Sequence, residues 1–139
     1  MRTFEFEVMG QPLIGQTASA SDQHQLLRLI TQGGALCLLD DEWEDESGAK
    51  RKATLLDRFM AVTILPDHIY NQVVKIVTGA SSGKDLIKRD DGVPVSESMF
   101  SENIHRFVLI IAEAVKGNLQ SFTELTALDE RASKSEENQ

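Results

Sequence analysis

The chain reads as a small α+β domain. Three observations predict it: an opening stretch that alternates apolar and polar residues with a period of two, later stretches whose apolar residues recur at helical spacing, and a composition of 41% hydrophobic and 26% charged residues over 139 positions. A chain of this length buries something like two thirds of its unfolded surface, enough for one core without a metal or a disulfide. The expected architecture is an N-terminal β-hairpin and a second short hairpin packed on three to four α-helices, with a long C-terminal helix. Residues 1–128 are expected to form a single α+β domain and residues 129–139 a disordered polar tail.

Thr3 to Val8 places Phe4, Phe6 and Val8 on one face and Glu5 and Glu7 on the other, the mark of a half-buried strand. Met9-Gly10-Gln11-Pro12 reads as a turn, and Leu13 to Thr17 as a short second strand in which Gly15 is a weak point or a bulge. A hairpin alone is marginal, so helices must cover it. Ser19-Ala20-Ser21-Asp22 is rich in N-cap residues, and Leu26, Leu27 and Ile30 follow at helical spacing until Gln32-Gly33-Gly34, which gives a first helix from Ser21 to about Thr31. Residues 35–39 are apolar and short; a buried strand or one more helical turn fits, with the balance toward the helical turn. Asp40 to Lys52 is dominated by carboxylates, carries Arg and Lys at its end and is broken by Ser47-Gly48, so it predicts a solvated loop.

Thr54 to Thr63 resumes helical spacing through Leu55, Phe59 and Val62. Pro66 and Asp67 open a further helix with Ile69, Val73, Ile76 and Val77 on one face, and Gly79 closes it. After the link Gly79 to Gly83, Asp85 to Lys88 and Val93 to Val95 flank Asp90-Asp91-Gly92, which has the chemistry of a hairpin turn; Pro94 demotes the second arm to an edge. From Ser101, the residues Ile104, Phe107, Val108, Ile111, Val115, Leu119 and Phe122 keep to one face for about six turns, interrupted only by Gly117. That helix is the expected spine. From Asp129 the chain is polar and without apolar periodicity.

Charge excludes several functions. Lys and Arg number 14 against 22 Asp and Glu, a balance of −8. Broad phosphate contact draws its affinity from Lys and Arg releasing condensed counterions, so nucleic-acid reading is not expected. The one cysteine, Cys37, cannot form an internal disulfide and sits in the apolar run Ala35 to Leu39, which points to a reducing compartment. The N-terminus alternates where a signal peptide would carry a continuous apolar core. The longest apolar stretch, Phe107 to Ala112, falls far short of the roughly 20 residues needed to span a bilayer, so no membrane role and a cytoplasmic location are expected.

No motif supplies catalytic chemistry. Gly79 to Lys84 resembles a phosphate-binding loop, but its glycines are one residue too close, Asp85 stands where a Ser or Thr hydroxyl would meet Mg²⁺, and a helix precedes it where a strand should. The acidic block Asp40 to Glu46 lacks the spaced ligands and central glycine of a Ca²⁺ loop. His24, His68 and His105 fall on different helices with no metal-ligand spacing. Cys37 lies in apolar surroundings that suppress a thiol, and there is no Gly-x-Ser-x-Gly. The chain is therefore read as a non-enzyme with no catalytic, cofactor-binding or metal residues. Trp43, an aromatic ring in a charged stretch, either tucks onto the core or anchors a partner. Leu119, Phe122, Leu125 and Leu128 continue the spine's apolar stripe where few elements remain to cover it, and these five positions are the candidate partner contacts.

The order of elements also resembles a known family. The opening strand with its glycine turn (Phe4-Glu-Phe-Glu-Val-Met-Gly10), the short second strand, the Gln/Leu/Arg helix Gln23 to Ile30, a Leu/Val-rich middle and a final helix ending Gly117-Asn118-Leu119-Gln120-Ser121-Phe122 are similar to the small tail assembly chaperones of tailed bacteriophages and prophages. The resemblance runs to about Leu128. It implies a protein that binds the phage tape measure protein, keeps that aggregation-prone chain soluble, helps recruit the major tail tube protein, works in the host bacterial cytoplasm and is absent from the mature virion; a homo-oligomer is compatible with it. Two other readings fit the composition: an acidic phage-encoded inhibitor that mimics nucleic acid and blocks a host DNA-binding protein, and a structural tail subunit.

Overall fold

The computed structural model describes residues 2–137 and is α+β. Strand β1, Thr3–Val8, pairs antiparallel with β2, Gln11–Gln16, in the register Thr3↔Gln16 to Val8↔Gln11. Met9 and Gly10 connect them with φ of 50° and 85°; positive φ at both central residues gives the tight turn whose twist matches that of the strands. The alternation does what the sequence predicts: Phe4 and Phe6 are half-buried with their rings stacked 5.6 Å apart, Val8 is buried, and Glu5 and Glu7 face water. Gly15 is no bulge. It sits in regular register opposite Phe4, and a Cβ there would stand 2.4 Å from the Phe4 ring.

Helix α1, Ala20–Gln32, starts at Ser19, whose hydroxyl accepts from the Asp22 N–H, and buries Leu26, Leu29 and Ile30. Residues Leu36–Leu39 form a single 3₁₀ turn that buries Leu38 and Leu39. The next segment departs from expectation. Instead of a solvated loop, β3 (Glu42–Glu44) and β4 (Lys50–Lys52) pair antiparallel as Glu42↔Lys52, Trp43↔Arg51 and Glu44↔Lys50. Opposite charges face each other across the strands. The turn is held by Asp45, whose carboxylate accepts from the Ser47 N–H at 2.9 Å, the Ser47 hydroxyl at 2.5 Å and the Ala49 N–H at 3.1 Å.

Helix α2, Leu55–Thr63, carries a full capping box: Thr54 accepts from the Asp57 N–H, and the Asp57 carboxylate accepts from the Thr54 N–H. Helix α3, Asp67–Thr78, begins after Pro66 and ends on Gly79 with φ of 90°, where a Cβ would stand 2.0 Å from the Lys84 carbonyl oxygen. Strand β5, Ile87–Arg89, joins the first sheet along β2, giving the order β1-β2-β5. The expected second hairpin is present only in part. Its turn closes, with Arg89 N–H bonded to the Val93 carbonyl at 2.9 Å, but the returning arm makes a lone bridge, Lys88↔Pro94, completed by the Val95 N–H on the Ile87 carbonyl at 3.0 Å.

The long C-terminal helix divides. Helix α4 spans Ile104–Asn118 and α5 spans Gln120–Glu137, with Leu119 between them at φ −106° and ψ 20°. The break has a cause in the side chains around it. Asn118 is buried, accepting the Ala18 N–H on Oδ1 at 2.7 Å and donating from Nδ2 to the Ala114 carbonyl at 2.8 Å. Arg2 Nη2 donates to the Gly117 carbonyl at 2.5 Å, and its Nη1 donates to Gln120 Oε1 at 2.7 Å, so a carbonyl that a continuous helix would bond to the N–H four residues on is taken from outside. Five helices thus pack with the two hairpins, and α4 is the spine: Phe107 to Ala112, Ala114 and Val115 are all buried. Residues 129–137, read as polar tail, lie within α5; residues 138–139 of that tail lie outside the described residues.

Candidate partner-binding surface

The five candidate contact residues do not form one surface. Trp43 lies half-buried against the core, and its indole N–H donates to the Asp40 carbonyl at 3.2 Å. Leu119 is buried to 5% exposure at the helix break, and Phe122 packs partly buried on the core behind it. Leu125 and Leu128, each 60% exposed, stand in water on α5. The break at Leu119 explains the split: it turns the first two positions of the expected stripe inward and leaves the last two outside.

A larger apolar surface lies on α2. Leu56 and Ile64 are two-thirds exposed, with Met60 between them one turn from each, and Leu55 is exposed beside them. The opposite side of this helix buries Arg58, Ala61 and Val62. The sequence signal for it is a second apolar row, Leu56, Met60 and Ile64 at i, i+4 and i+8, beside the row Leu55, Phe59, Val62.

Between β1, residues 39–41 and the α4–α5 junction runs an open groove of about 510 Å³. Phe4, Phe6, Leu39 and Gly117 line it with apolar surface, and Glu5, Asp40, Asp41, Glu113 and Lys116 add charge. Arg58 backs this region from α2. Its guanidinium is buried, lies 3.6 Å from Asp41 and 4.0 Å from Glu113, and faces the carbonyls of Leu38 and Asp40 at 3.5 and 3.4 Å. Lys116 bonds Asp41, and this bond above all holds the Asp41 carboxyl below the usual carboxylate range, with the charges of Lys116, Arg58 and Lys52 adding to it. A buried cation held by carboxylates and carbonyls is a structural tie between α2, the 3₁₀ turn and α4.

Cys37 is half-buried, and burial pushes its thiol pKa up, away from the thiolate. Among the described residues no group of three or more His, Cys, Asp or Glu side chains could hold a metal ion, and no helix is long and apolar enough to cross a membrane. Compared with known families, curated proteins and solved structures, the chain matches no family model, no curated protein and no solved structure.

Proposed function

We propose that this protein is a non-enzymatic tail assembly chaperone of a tailed phage or prophage: it binds the tape measure protein, keeps it soluble and helps recruit tail-tube subunits, acting in the host bacterial cytoplasm and leaving before the virion is complete. The observation that carries this reading is the apolar surface of α2 at Leu55, Leu56, Met60 and Ile64, with Leu125 and Leu128 as a second patch, on a domain of net charge −8. Large side chains left in water supply the area to cover an apolar stretch of a partner, while the negative charge keeps the loaded complex dispersed. The resemblance of the sequence to the chaperone family, from Phe4 to about Leu128, supports the same reading. A nucleic-acid mimic is less well supported, because the acidic block has cations beside it: Glu42 and Glu44 stand opposite Lys52 and Lys50 in the strand register, and Asp41 is bonded to Lys116.

The test is co-expression with the tape measure protein of the same phage, followed by size-exclusion chromatography with light scattering at low and high salt. A soluble complex that survives high salt is expected. Leu56→Asp with Ile64→Asp should reduce its yield at least several-fold while circular dichroism of the variant stays native, since both positions are exposed. A tape measure protein that stays insoluble while this protein elutes alone overturns the proposal, and finding the protein in purified virions would make it a structural subunit instead.

A further inference from the structure

The β1 edge of the sheet has hydrogen-bonding groups to spare. In the order β1-β2-β5, β1 has a neighbour on one side only. Parity along the ladder fixes which groups are left over. Thr17 N–H bonds the Arg2 carbonyl, and Gln16 N–H bonds the Leu86 carbonyl across the other side of β2. Alternate residues of β1 therefore turn toward β2: Arg2, Phe4, Phe6 and Val8. Thr3, Glu5 and Glu7 turn their N–H and C=O groups outward, and no hydrogen bond to them occurs among the described residues. This free edge borders the 510 Å³ groove, a volume within the range of about 300–1,000 Å³ typical of ligand clefts. Its far wall includes Asp40, itself extended at φ −105° and ψ 143°.

The geometry points to an extended segment of another protein, alternating apolar and basic residues, adding to β1 as a fourth strand of this sheet. Main-chain bonds to Thr3, Glu5 and Glu7 would supply affinity without regard to sequence, and the side chains would supply the selection. On one face the added strand meets Phe4, Phe6 and Leu39, which favours apolar residues. On the other it meets the carboxylates of Glu5 and Glu7, which have no ion-pair partner among the described residues. Of the four carboxylates that line the groove, Asp41 and Glu113 are paired with Lys116 and Arg58, while Glu5 and Asp40 have no ion-pair partner among the described residues. A second copy of this chain is the wrong occupant. Pairing β1 with itself would bring Glu5 and Glu7 against their own counterparts, and like charges across a strand pair are destabilising. The inference stands on the sheet edge and holds whether or not the partner is a tape measure protein.

The experiment is titration of ¹⁵N-labelled protein with three capped hexapeptides: one alternating lysine and valine, one alternating glutamate and valine, and the lysine peptide with a central proline. The lysine peptide should slow hydrogen exchange at the amides of Thr3, Glu5 and Glu7, while Phe4, Phe6 and Val8, already bonded to β2, serve as internal controls. It should bind at least about tenfold tighter than the glutamate and proline peptides, which lack the charge match and a strand donor respectively. Glu5→Lys with Glu7→Lys, at exposed positions that leave the fold intact, should reverse the charge preference. Binding without protection of those three amides, equal binding of the lysine and glutamate peptides, or no binding at millimolar peptide overturns the proposal. Protection of the same amides in peptide-free protein of dimeric mass would also overturn it, by assigning the edge to a second copy.

Discussion

The two hairpins of this domain are built from opposite materials. In β1–β2 one face is sorted from the other by polarity: Phe6, Val8 and Leu13 belong to or pack on the core, and the Phe4 ring lies over Gly117 of α4. In β3–β4 five of the six strand residues are exposed, and the pairing rests on Glu42 and Glu44 facing Lys52 and Lys50, on the Asp45 turn and on Trp43 as the one foot on the core. The first hairpin is thus a part of the hydrophobic core, and the second is a solvated attachment to it. Period-two alternation is a trace of burial, so a strand pair that buries almost nothing leaves no such trace and reads as a loop. What it leaves is a mirror of charge, an acidic run and a basic run disposed around Ser47-Gly48.

The contrast can be broken most forcefully at Leu13, which is 2% exposed. Leu13→Ala should lower global stability by about 2–5 kcal/mol, read from urea denaturation. Next comes the Phe4 ring, held between Gly15 and Gly117. A Cβ at Gly117 would stand 2.3 Å from the ring, so Gly117→Ala should cost about 1–3 kcal/mol in the native background. In a Phe4→Ala background the same change should be neutral or stabilising by up to about 1 kcal/mol, because the helix gains propensity and the clash is gone. A double-mutant cycle by denaturation measures that coupling, and additive values would refute the wedge. Trp43→Ala should cost about 1 kcal/mol and leave hydrogen-exchange protection of α4 unchanged, since only the attachment loosens.

The smallest effects belong to the charges that hold the second hairpin. Lys50→Glu with Lys52→Glu should speed amide exchange in β3 and β4 alone, and added salt should blunt the difference. Acid acts on the same region through Asp57 and Asp41, both held below the ordinary carboxyl value of 3.8; for Asp57 the Arg51 guanidinium is the main cause, followed by the Thr54 N–H, and for Asp41 it is Lys116. A depressed folded pKa contributes stability that is complete above the unfolded value and is lost as pH falls through the folded one. Urea midpoints should therefore be steady from pH 7 to about pH 5 and fall below about pH 4. Arg51→Met should flatten that fall.

The helices were legible where local chemistry decides them. Ser19, Thr54 and Pro66 open α1, α2 and α3, and Gly79 stops α3, all through backbone preferences that a short stretch of sequence contains. The break at Leu119 was not legible, because its causes, Arg2 on Gly117 and Asn118 on Ala18, come from residues about a hundred positions away. The candidate surface was legible for the same reason in part only. Leu125 and Leu128 are exposed on α5, whereas the burial of Leu119 follows from the break, and the α2 patch follows from no other element lying over Leu56, Met60 and Ile64.

The link between Arg2 and Gly117, with Ala18 to Asn118 beside it, also sets an order of birth. A ribosome delivers the β1–β2 hairpin long before α4 exists, so its Phe4 and Phe6 face has no cover until residue 118 has emerged. For most of its synthesis the nascent chain carries a sticky, marginally paired segment, guarded by the repulsion of Glu5 and Glu7 on neighbouring chains. A message that stops short of Asn118 would release that segment permanently uncovered, as a seed for aggregation in place of a domain.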